Sequence, residues 1–226
     1  MQQIEQEKTR ELSEMKLSFY TNITHELRTP LALITAPLKD LEERTDLGEY
    51  VGFRLGLIRR NVNKLLKLIN QLLEIRKVSA QNLPLKVSRY DLAYTVREVV
   101  HSFGSMSEQT GIMMHFEAPK EIPDAWFDRD KIEKVLQNLI SNAYKFTPEQ
   151  GDIHVRLAVE QHDRVHYAVI AVQDSGVGIP AADMHRIFDL FFHGTPLNGV
   201  SSGVGLSFSK ALIELHAGEI TVGSEE

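Results

Sequence analysis

Cysteine is absent from the 226 residues of this chain, and tryptophan occurs only once. Without cysteine there is no disulfide and no thiolate ligand for zinc, which is typical of proteins from a reducing compartment. No apolar run approaches the ~20 residues that span a bilayer, and the polar N-terminus has no secretory signal. Basic residues (25) are fewer than acidic ones (31), so the net charge of −6 gives no reason to expect nucleic-acid binding.

The first third of the chain has the apolar periodicity of long helices. Residues 1–15 are polar and rich in helix formers, and they predict a coiled-coil connector. Residues 16–79 predict two amphipathic helices that form an antiparallel hairpin around a polar turn at 45–52. Pro30 and Pro37 predict a bend in the first helix. One hairpin has too little apolar surface to enclose a core, so we expect a homodimer with a four-helix bundle.

One histidine in the first helix is well placed for chemistry. At about 100° per residue, His25 lies opposite the apolar side of the helix, with Thr29 one turn away and Glu26 at the edge. An exposed imidazole beside a carboxylate can exchange a proton. A lone exposed histidine is more commonly only a solvated side chain, so a functional role for His25 depends on motifs later in the chain. The apolar side consists of Phe19, Ile23, Leu27, Pro30, Ile34, Pro37 and Leu41.

Residues 80–226 alternate between strand-like and helix-like patterns, which predicts an α+β fold with one sheet covered by helices on one face. Asp91 and Asp128 are suited to cap two of the helices. The predicted helices are 91–103, 129–146, 180–188 and 205–216. The predicted strands lie near 84–88, 112–116, 153–159, 166–173 and 219–222.

Two stretches of this second domain carry polar side chains that suit a nucleotide. Asn138, Asn142 and Lys145 share one helix face, where amide oxygens can ligate Mg²⁺ and the ammonium can neutralise phosphate. Asp174 ends a strand just before Gly176, so its carboxylate can accept a hydrogen bond from an exocyclic amine such as that of adenine.

Two further stretches are IFDLFF, with Phe188 and Phe191, and SSGVGL, with Gly203 and Gly205. The second of these opens a helix, whose free N–H groups favour phosphate. Each stretch alone has an ordinary interpretation as a turn, a loop, core phenylalanines or solvated asparagines. Their occurrence in this order favours a nucleotide site.

Together with HELRTP at His25, these motifs resemble the transmitter region of sensor histidine kinases. HELRTP resembles the family's H-box and NLISNAYK its N-box, while DSGVGI, IFDLFF and GVGLSFSK resemble the first glycine box, the F-box and the second glycine box. The likeness covers nearly all of the chain from about residue 16. It implies a dimerisation and phosphoacceptor bundle followed by an ATP-binding sandwich of the gyrase type. The polar connector at residues 1–15 further predicts an upstream sensor domain, with this chain as the cytoplasmic domain of a membrane-bound sensor.

The resemblance implies ATP-dependent autophosphorylation of His25 and transfer to an aspartate of a response-regulator receiver domain. Glu26 would be the acid/base partner of the histidine, and Thr29 would position a water that dephosphorylates the regulator. Asn142 would ligate Mg²⁺ with support from Asn138, and residues 183–203 would form a lid over ATP. The implied nucleotide-binding residues are Asn138, Asn142, Lys145, Asp174, Gly176, Gly178, Phe188, Phe191, Gly203, Gly205 and Leu206.

The chain departs from the family pattern in three places. Ser201 stands where the second glycine box usually begins with glycine, and His193 follows the F-box where a basic residue is common. The sequence stops at Glu226, before the family's closing strand, so we expect the sheet to lack that strand. Two alternatives stay open: a dimeric scaffold without kinase activity, and a gyrase-like ATPase that forms no phosphohistidine. A net phosphatase is a further possibility for a histidine kinase.

Overall fold

The computed structural model describes residues 27–39, 41, 48–79, 84–120, 122, 125–162, 165–192 and 203–225. The chain divides into two compact units, Met1–Arg76 and Lys77–Glu226, of which the first is helical and the second mixes helices with strands. The predicted α+β class is therefore confirmed. Among the described helices none combines the length and apolarity needed to cross a membrane. The predicted connector at 1–15, His25 and Glu26 lie outside the described residues.

The first described helix, α1, covers residues 27–39 and buries one side. Pro30 and Pro37 are buried, and Leu27, Ile34 and Leu41 are partly buried, whereas the remaining described side chains are exposed. This pattern confirms the described part of the predicted apolar side. Thr29 is exposed, as the periodicity predicts.

The second helix, α2, spans Gly48–Ser79. The predicted turn at 45–52 was therefore wrong for its last five residues. The turn was predicted from Gly48 and Gly52, because a glycine inside a helix costs about 1 kcal/mol relative to alanine. Packing of a long amphipathic face supplies most helical stability in proteins and outweighs this cost. Asn61 and Leu68 are buried on one side of α2. A second row of apolar side chains, here called the α2 seam, stays exposed in the single chain and consists of Leu55, Val62, Leu66, Ile69 and Leu73.

The described residues of the second unit form two separate sheets. β1 (Ser88–Tyr90) pairs antiparallel with β3 (Ala125–Phe127). β4 (Asp152–His162) lies at the centre of a three-stranded sheet, parallel to β2 (Met113–Glu117) and antiparallel to β5 (Val165–Asp174). The single sheet expected from the sequence is thus split, and the strand predicted near 84–88 is shifted toward residue 90.

In the part of this unit that the structure describes, four helices accompany these strands: α3 (Leu92–His101), α4 (Gly104–Thr110), α5 (Arg129–Phe146) and α6 (Gly205–Leu215). Alternate side chains of β4 are buried while their neighbours are more exposed, as expected for a strand covered on one face. The core therefore lies between the helices and one face of the three-stranded sheet. Its buried members are Leu92, Val96, Val99, Val100, Ile112, Phe127, Leu136, Ile140, Ala143, Tyr144, Ile153, Val155 and Leu157.

Both predicted aspartate caps are present. The carboxylate of Asp91 accepts a hydrogen bond from the backbone N–H of Tyr94 at 2.8 Å. Asp128 accepts from the N–H of Lys131 at 3.3 Å and also from that of Lys86 at 2.8 Å. The buried Asp128 thus starts α5 and holds the segment before β1, and α5 has the predicted bounds of 129–146.

Asp130 lies in the first turn of α5. Burial raises the pKa of its carboxyl, but the hydrogen bonds from Lys131 and Lys134, together with the positive charges of these lysines, hold this pKa below its usual value. The two ammonium groups lie 3.0 and 3.1 Å from the carboxylate. The positive end of the helix dipole also stabilises a charged carboxylate at this position.

Residues 180–188 do not form the predicted helix. Hydrogen bonds run from the N–H groups of Asp183, Arg186 and Asp189 to the carbonyls three residues earlier, beginning at Pro180. An α-helix requires a bond at successive residues and a span of four, so these bonds define a series of tight turns.

The strand predicted at 219–222 is also absent, since residues 218–225 have no assigned strand. Hydrogen bonds hold this segment at both ends, from the N–H of Gly218 to the carbonyl of Ile213 at 3.0 Å and from the N–H of Ile179 to the Ser224 hydroxyl at 2.8 Å. Strand-like alternation produces a strand only when a neighbouring strand supplies the hydrogen-bonding ladder.

Candidate functional site

Asn138 joins α5 to α6. Its amide nitrogen donates a hydrogen bond to the hydroxyl of the fully buried Ser209 at 2.9 Å. Its amide oxygen lies against Gly205, the first residue of α6, where an added Cβ would overlap it. Glycine at position 205 therefore lets the first turn of α6 approach α5. No sequence pattern indicates Ser209, because the partner of Asn138 depends on how the two helices pack.

Asn142 lies one turn further along α5 and is partly buried. Its amide makes no hydrogen bond to any described residue, which leaves the oxygen available to a ligand. Lys145 is on the same side, with its ammonium 4.9 Å from the centre of the Phe146 ring. The three polar residues predicted on one face of the helix therefore differ in the structure: Asn138 joins two helices, the Asn142 amide has no described hydrogen-bond partner, and the Lys145 ammonium lies over the Phe146 ring.

The first glycine turn contacts the C-terminal end of α5. A carboxylate oxygen of Asp174 accepts from the N–H of Gly176 at 2.9 Å. A Cβ at Gly176 would lie 2.7 Å from the carbonyl oxygen of Phe146, so only glycine allows this approach. Phe146 is four residues after Asn142, which is about 6 Å along the helix axis. The motifs of Asn142 and Asp174, 32 positions apart in the sequence, thus belong to one region of the fold.

Ser175 fixes the strand ends beside this turn. Its hydroxyl accepts from the N–H of Asp152 at 2.9 Å, and its own N–H donates to the carbonyl of Asp152 at 3.0 Å. These reciprocal bonds attach the start of β4 to the residue after Asp174. The sequence did not point to Ser175 or Asp152, since the pairing depends on the register of β4 and β5.

The second glycine box packs against Phe191. Gly203 has a φ of +60°, and a Cβ there would lie 2.6 Å from the Cα of Phe191. The N–H of Phe191 donates to the carbonyl of Gly203 at 2.8 Å. Phe191 is itself buried at a φ of +65°, a strained conformation for an aromatic residue that its surroundings must maintain. Phe188 stays close to α6, with its ring centre 5.7 Å from the Lys210 ammonium.

We expect Gly203→Ala to destabilise the second unit by on the order of 1–3 kcal/mol, because alanine is strained at this φ and its Cβ meets the Phe191 backbone. Denaturant unfolding of the full chain measures the effect. Gly104→Ala is the control, since a Cβ at Gly104 has nothing within 4 Å. Equal unfolding free energies for the two variants would contradict the role of Gly203.

The structure thus connects the motifs through three contacts, between Gly176 and Phe146, Gly205 and Asn138, and Gly203 and Phe191. Gly178, at a φ of +74°, continues the first glycine turn, and the partly buried Leu206 comes after Gly205 in α6. Residues 193–202 of the predicted lid, including His193 and Ser201, lie outside the described residues.

Two protein families match separate parts of the chain. Residues 15–81 match the family described as "His Kinase A (phospho-acceptor) domain". Residues 127–226 match the family described as "Histidine kinase-, DNA gyrase B-, and HSP90-like ATPase". The helical region and the region with the glycine turns therefore match two different domains, in the order that the motifs indicate.

Longer proteins of this kind are similar over nearly the whole chain. "Histidine kinase P4" of Formosa agariphila is 34% identical over 100% of this chain and 17% of its own length. "Sensor histidine kinase TmoS" of Ectopseudomonas mendocina is 37% identical over 96% of the chain and 22% of its own length. The chain thus spans about a fifth of the length of these curated relatives.

A solved structure shares the fold. The crystal structure of histidine kinase ThkA in complex with response regulator protein TrrA superimposes with a TM-score of 0.68 and 26% identity. The match covers 92% of this chain and 57% of that one. Both family matches agree with the contacts that join the glycine boxes to the asparagine helix α5. The chain therefore belongs to the sensor histidine kinases and comprises their transmitter region.

Proposed function

We propose that this chain transfers the γ-phosphoryl group of ATP to His25. The observation that carries the proposal is the connection of the two glycine boxes to α5, which places Asn142 and Asp174 in one region of an ATPase-type domain. The match of residues 15–81, which include His25, to the phosphoacceptor domain family supports His25 as the acceptor. Incubation with γ-labelled ATP and Mg²⁺ tests the proposal, because a phosphohistidine loses its label in acid and keeps it in base.

In the proposed reaction a ring nitrogen of neutral His25 attacks the γ-phosphorus in line. The N–P bond forms as the bond from phosphorus to the oxygen bridging the β-phosphate breaks, and ADP leaves with that electron pair. Glu26 takes the proton from the other ring nitrogen, which removes charge from the imidazole. Catalysis is then mainly a matter of position and electrostatics.

The ATP-binding side of the proposal uses residues of the second unit. Asp174 accepts from the adenine amine, and the lack of side chains at Gly176 and Gly178 lets the base approach the backbone. Lys145 and the free N–H groups at the start of α6 stabilise the phosphate oxygens.

The residues present fit a magnesium ion. Amide oxygens are suitable ligands for hard cations, and the amide of Asn142 has no hydrogen bond to another described residue. The Asn138 amide is held by Ser209 instead, so its proposed role is to support α5 rather than to ligate. When bound, Mg²⁺ neutralises negative charge on the phosphates.

We propose that the phosphoryl group then passes from His25 to an aspartate of a response-regulator receiver domain. Histidine kinase ThkA was crystallised with a response regulator protein, which supports a partner of this type. Thr29 is exposed on α1, as its proposed part in regulator dephosphorylation requires. Because the curated relatives are several times longer, we also propose an upstream sensor domain in a membrane-bound protein.

A homodimer is the proposed assembly, and the α2 seam is its proposed interface. Its five apolar side chains are spaced by seven, four, three and four residues, the repeat typical of helices in a bundle. They are exposed in the single chain although Asn61 and Leu68 on another side of α2 are buried. A second copy of α2 would remove this apolar row from water.

We expect Leu66→Asp to convert the dimer into a monomer, because it places a charge in the middle of the α2 seam. Light scattering should change from twice 25.6 kDa to 25.6 kDa. Asn63→Asp is the matched control, since it adds the same charge at an exposed position outside the seam. A wild-type chain that is monomeric at micromolar concentration would refute the dimer.

A further inference from the structure

Three side chains that can ligate a metal lie together on the outer face of the three-stranded sheet, away from the helices. The parallel register of β2 and β4 pairs His115 with His154 and Met113 with Asp152. His115, Asp152 and His154 therefore point to the same face, opposite the buried Ile153 and Val155. We call these three residues the His-His-Asp cluster.

The side chains of the cluster converge. The two imidazole rings are stacked with their centres 4.5 Å apart and their planes at 17°. Nε2 of His115 lies 3.3 Å from a carboxylate oxygen of Asp152. One ligand atom from each residue can be chosen so that all three lie within 4.8 Å of one another.

The backbone beneath the cluster is fixed while its side chains can adjust. His115 and His154 are paired inside the β2–β4 ladder, and Asp152 is held by its two backbone hydrogen bonds with Ser175. Metal–ligand bonds of about 2.0–2.2 Å place tetrahedral ligands roughly 3.3–3.5 Å apart. The most distant ligand atoms of the cluster must therefore approach each other by up to about 1.5 Å, and the partly exposed side chains of His115 and Asp152 can do so by rotation.

The charges next to the cluster are compatible with a bound cation. The next rung of the ladder on this face pairs Glu117 with Arg156, and the guanidinium lies 3.2 Å from the carboxylate. The arginine charge is thus balanced locally. An ordinary hydrogen bond between His115 and Asp152 accounts for two members of the cluster, but not for the second imidazole stacked beside them.

We propose that the His-His-Asp cluster binds a divalent transition-metal ion of the Zn²⁺, Co²⁺ or Ni²⁺ class. Two imidazole nitrogens and one carboxylate oxygen bind the ion, and water completes its coordination. This site is chemically distinct from the magnesium site proposed at Asn142, because Mg²⁺ prefers oxygen ligands. The residues of the two sites also come from different elements, Asn142 from α5 and the His-His-Asp cluster from β2 and β4.

Titration of the full chain with Zn²⁺ by calorimetry, and with Co²⁺ by visible absorbance, tests the proposal. We expect one site whose affinity falls about 100-fold or more in His154→Ala and in His115→Gln, because removing a direct ligand costs more than the 10–100-fold lost when only a residue that orients a ligand is removed. Both variants should keep the wild-type unfolding midpoint without metal, which shows that the sheet is intact.

His101→Ala is the matched control, because His101 is an exposed histidine at the end of α3 and outside the cluster. It should bind Zn²⁺ like the wild type. The proposal is overturned if the two cluster variants keep the wild-type affinity, or if His101→Ala loses as much affinity as they do.

Discussion

Replacing His25 by glutamine is expected to abolish labelling of the chain by γ-labelled ATP. Glutamine has no ring nitrogen that can form the N–P bond, while it keeps a polar side chain of similar size. The measurement is transfer of label to protein after incubation with Mg²⁺ and ATP, followed by acid and base treatment. In the wild type the label should be lost in acid and retained in base.

The same substitution at another histidine provides the control. His101→Gln changes an exposed histidine of the second unit and should be labelled like the wild type. Nucleotide titration of His25→Gln should still show ATP binding, because no residue of the proposed nucleotide site is changed. Persistent acid-labile label on His25→Gln would refute the acceptor, and hydrolysis without any phosphohistidine would favour the gyrase-like ATPase.

Asp174→Asn is expected to weaken ATP binding by roughly 10- to 100-fold. A hydrogen bond to a charged group contributes about 1.5–3 kcal/mol, and each 1.4 kcal/mol corresponds to about tenfold in affinity. Asparagine can still accept from the N–H of Gly176 and so preserve the turn, but it lacks the charged acceptor for the adenine amine. Calorimetric titration with a non-hydrolysable ATP analogue measures the loss.

Glu214→Gln removes the same charge elsewhere in this unit and serves as the comparison. Glu214 is exposed near the end of α6, 3.9 Å from the Lys210 ammonium, and its replacement should leave the affinity unchanged. If Asp174→Asn binds the ATP analogue with wild-type affinity, the Asp174 carboxylate does not accept the hydrogen bond from the adenine amine. If the unchanged chain binds no Mg·ATP, the scaffold without kinase activity becomes the better interpretation.

Elements with strong local signals were predictable from the sequence. α5 has both a capping aspartate and a regular apolar face, and its predicted bounds match those of the structure. α4 and β3 were missed because they are short, with seven and three residues. Residues 180–188 have the composition of a helix, but their hydrogen bonds close successive turns instead. Short segments depend on tertiary partners that local patterns do not specify.

The candidate site likewise contains residues that the sequence indicates and residues that depend on tertiary packing. The proposed roles of Asn142 and Asp174 require an amide and a carboxylate, so sequence motifs are enough to nominate these two residues. The contact of Asn138 with Gly205 and Ser209, and the bonds between Ser175 and Asp152, depend on packing and strand register. The sequence therefore predicted the candidate ligands, whereas the residues that support them became visible only in the fold.

The exposed α2 seam has a consequence for stability as well as for assembly. If two copies bury this row against each other, part of the folding free energy of the helical unit comes from association. Mass action then makes that part depend on protein concentration, since dilution favours separated chains with an apolar row in water. A longer protein that holds two such units side by side would supply a high local concentration, and its helical bundle would no longer respond to dilution.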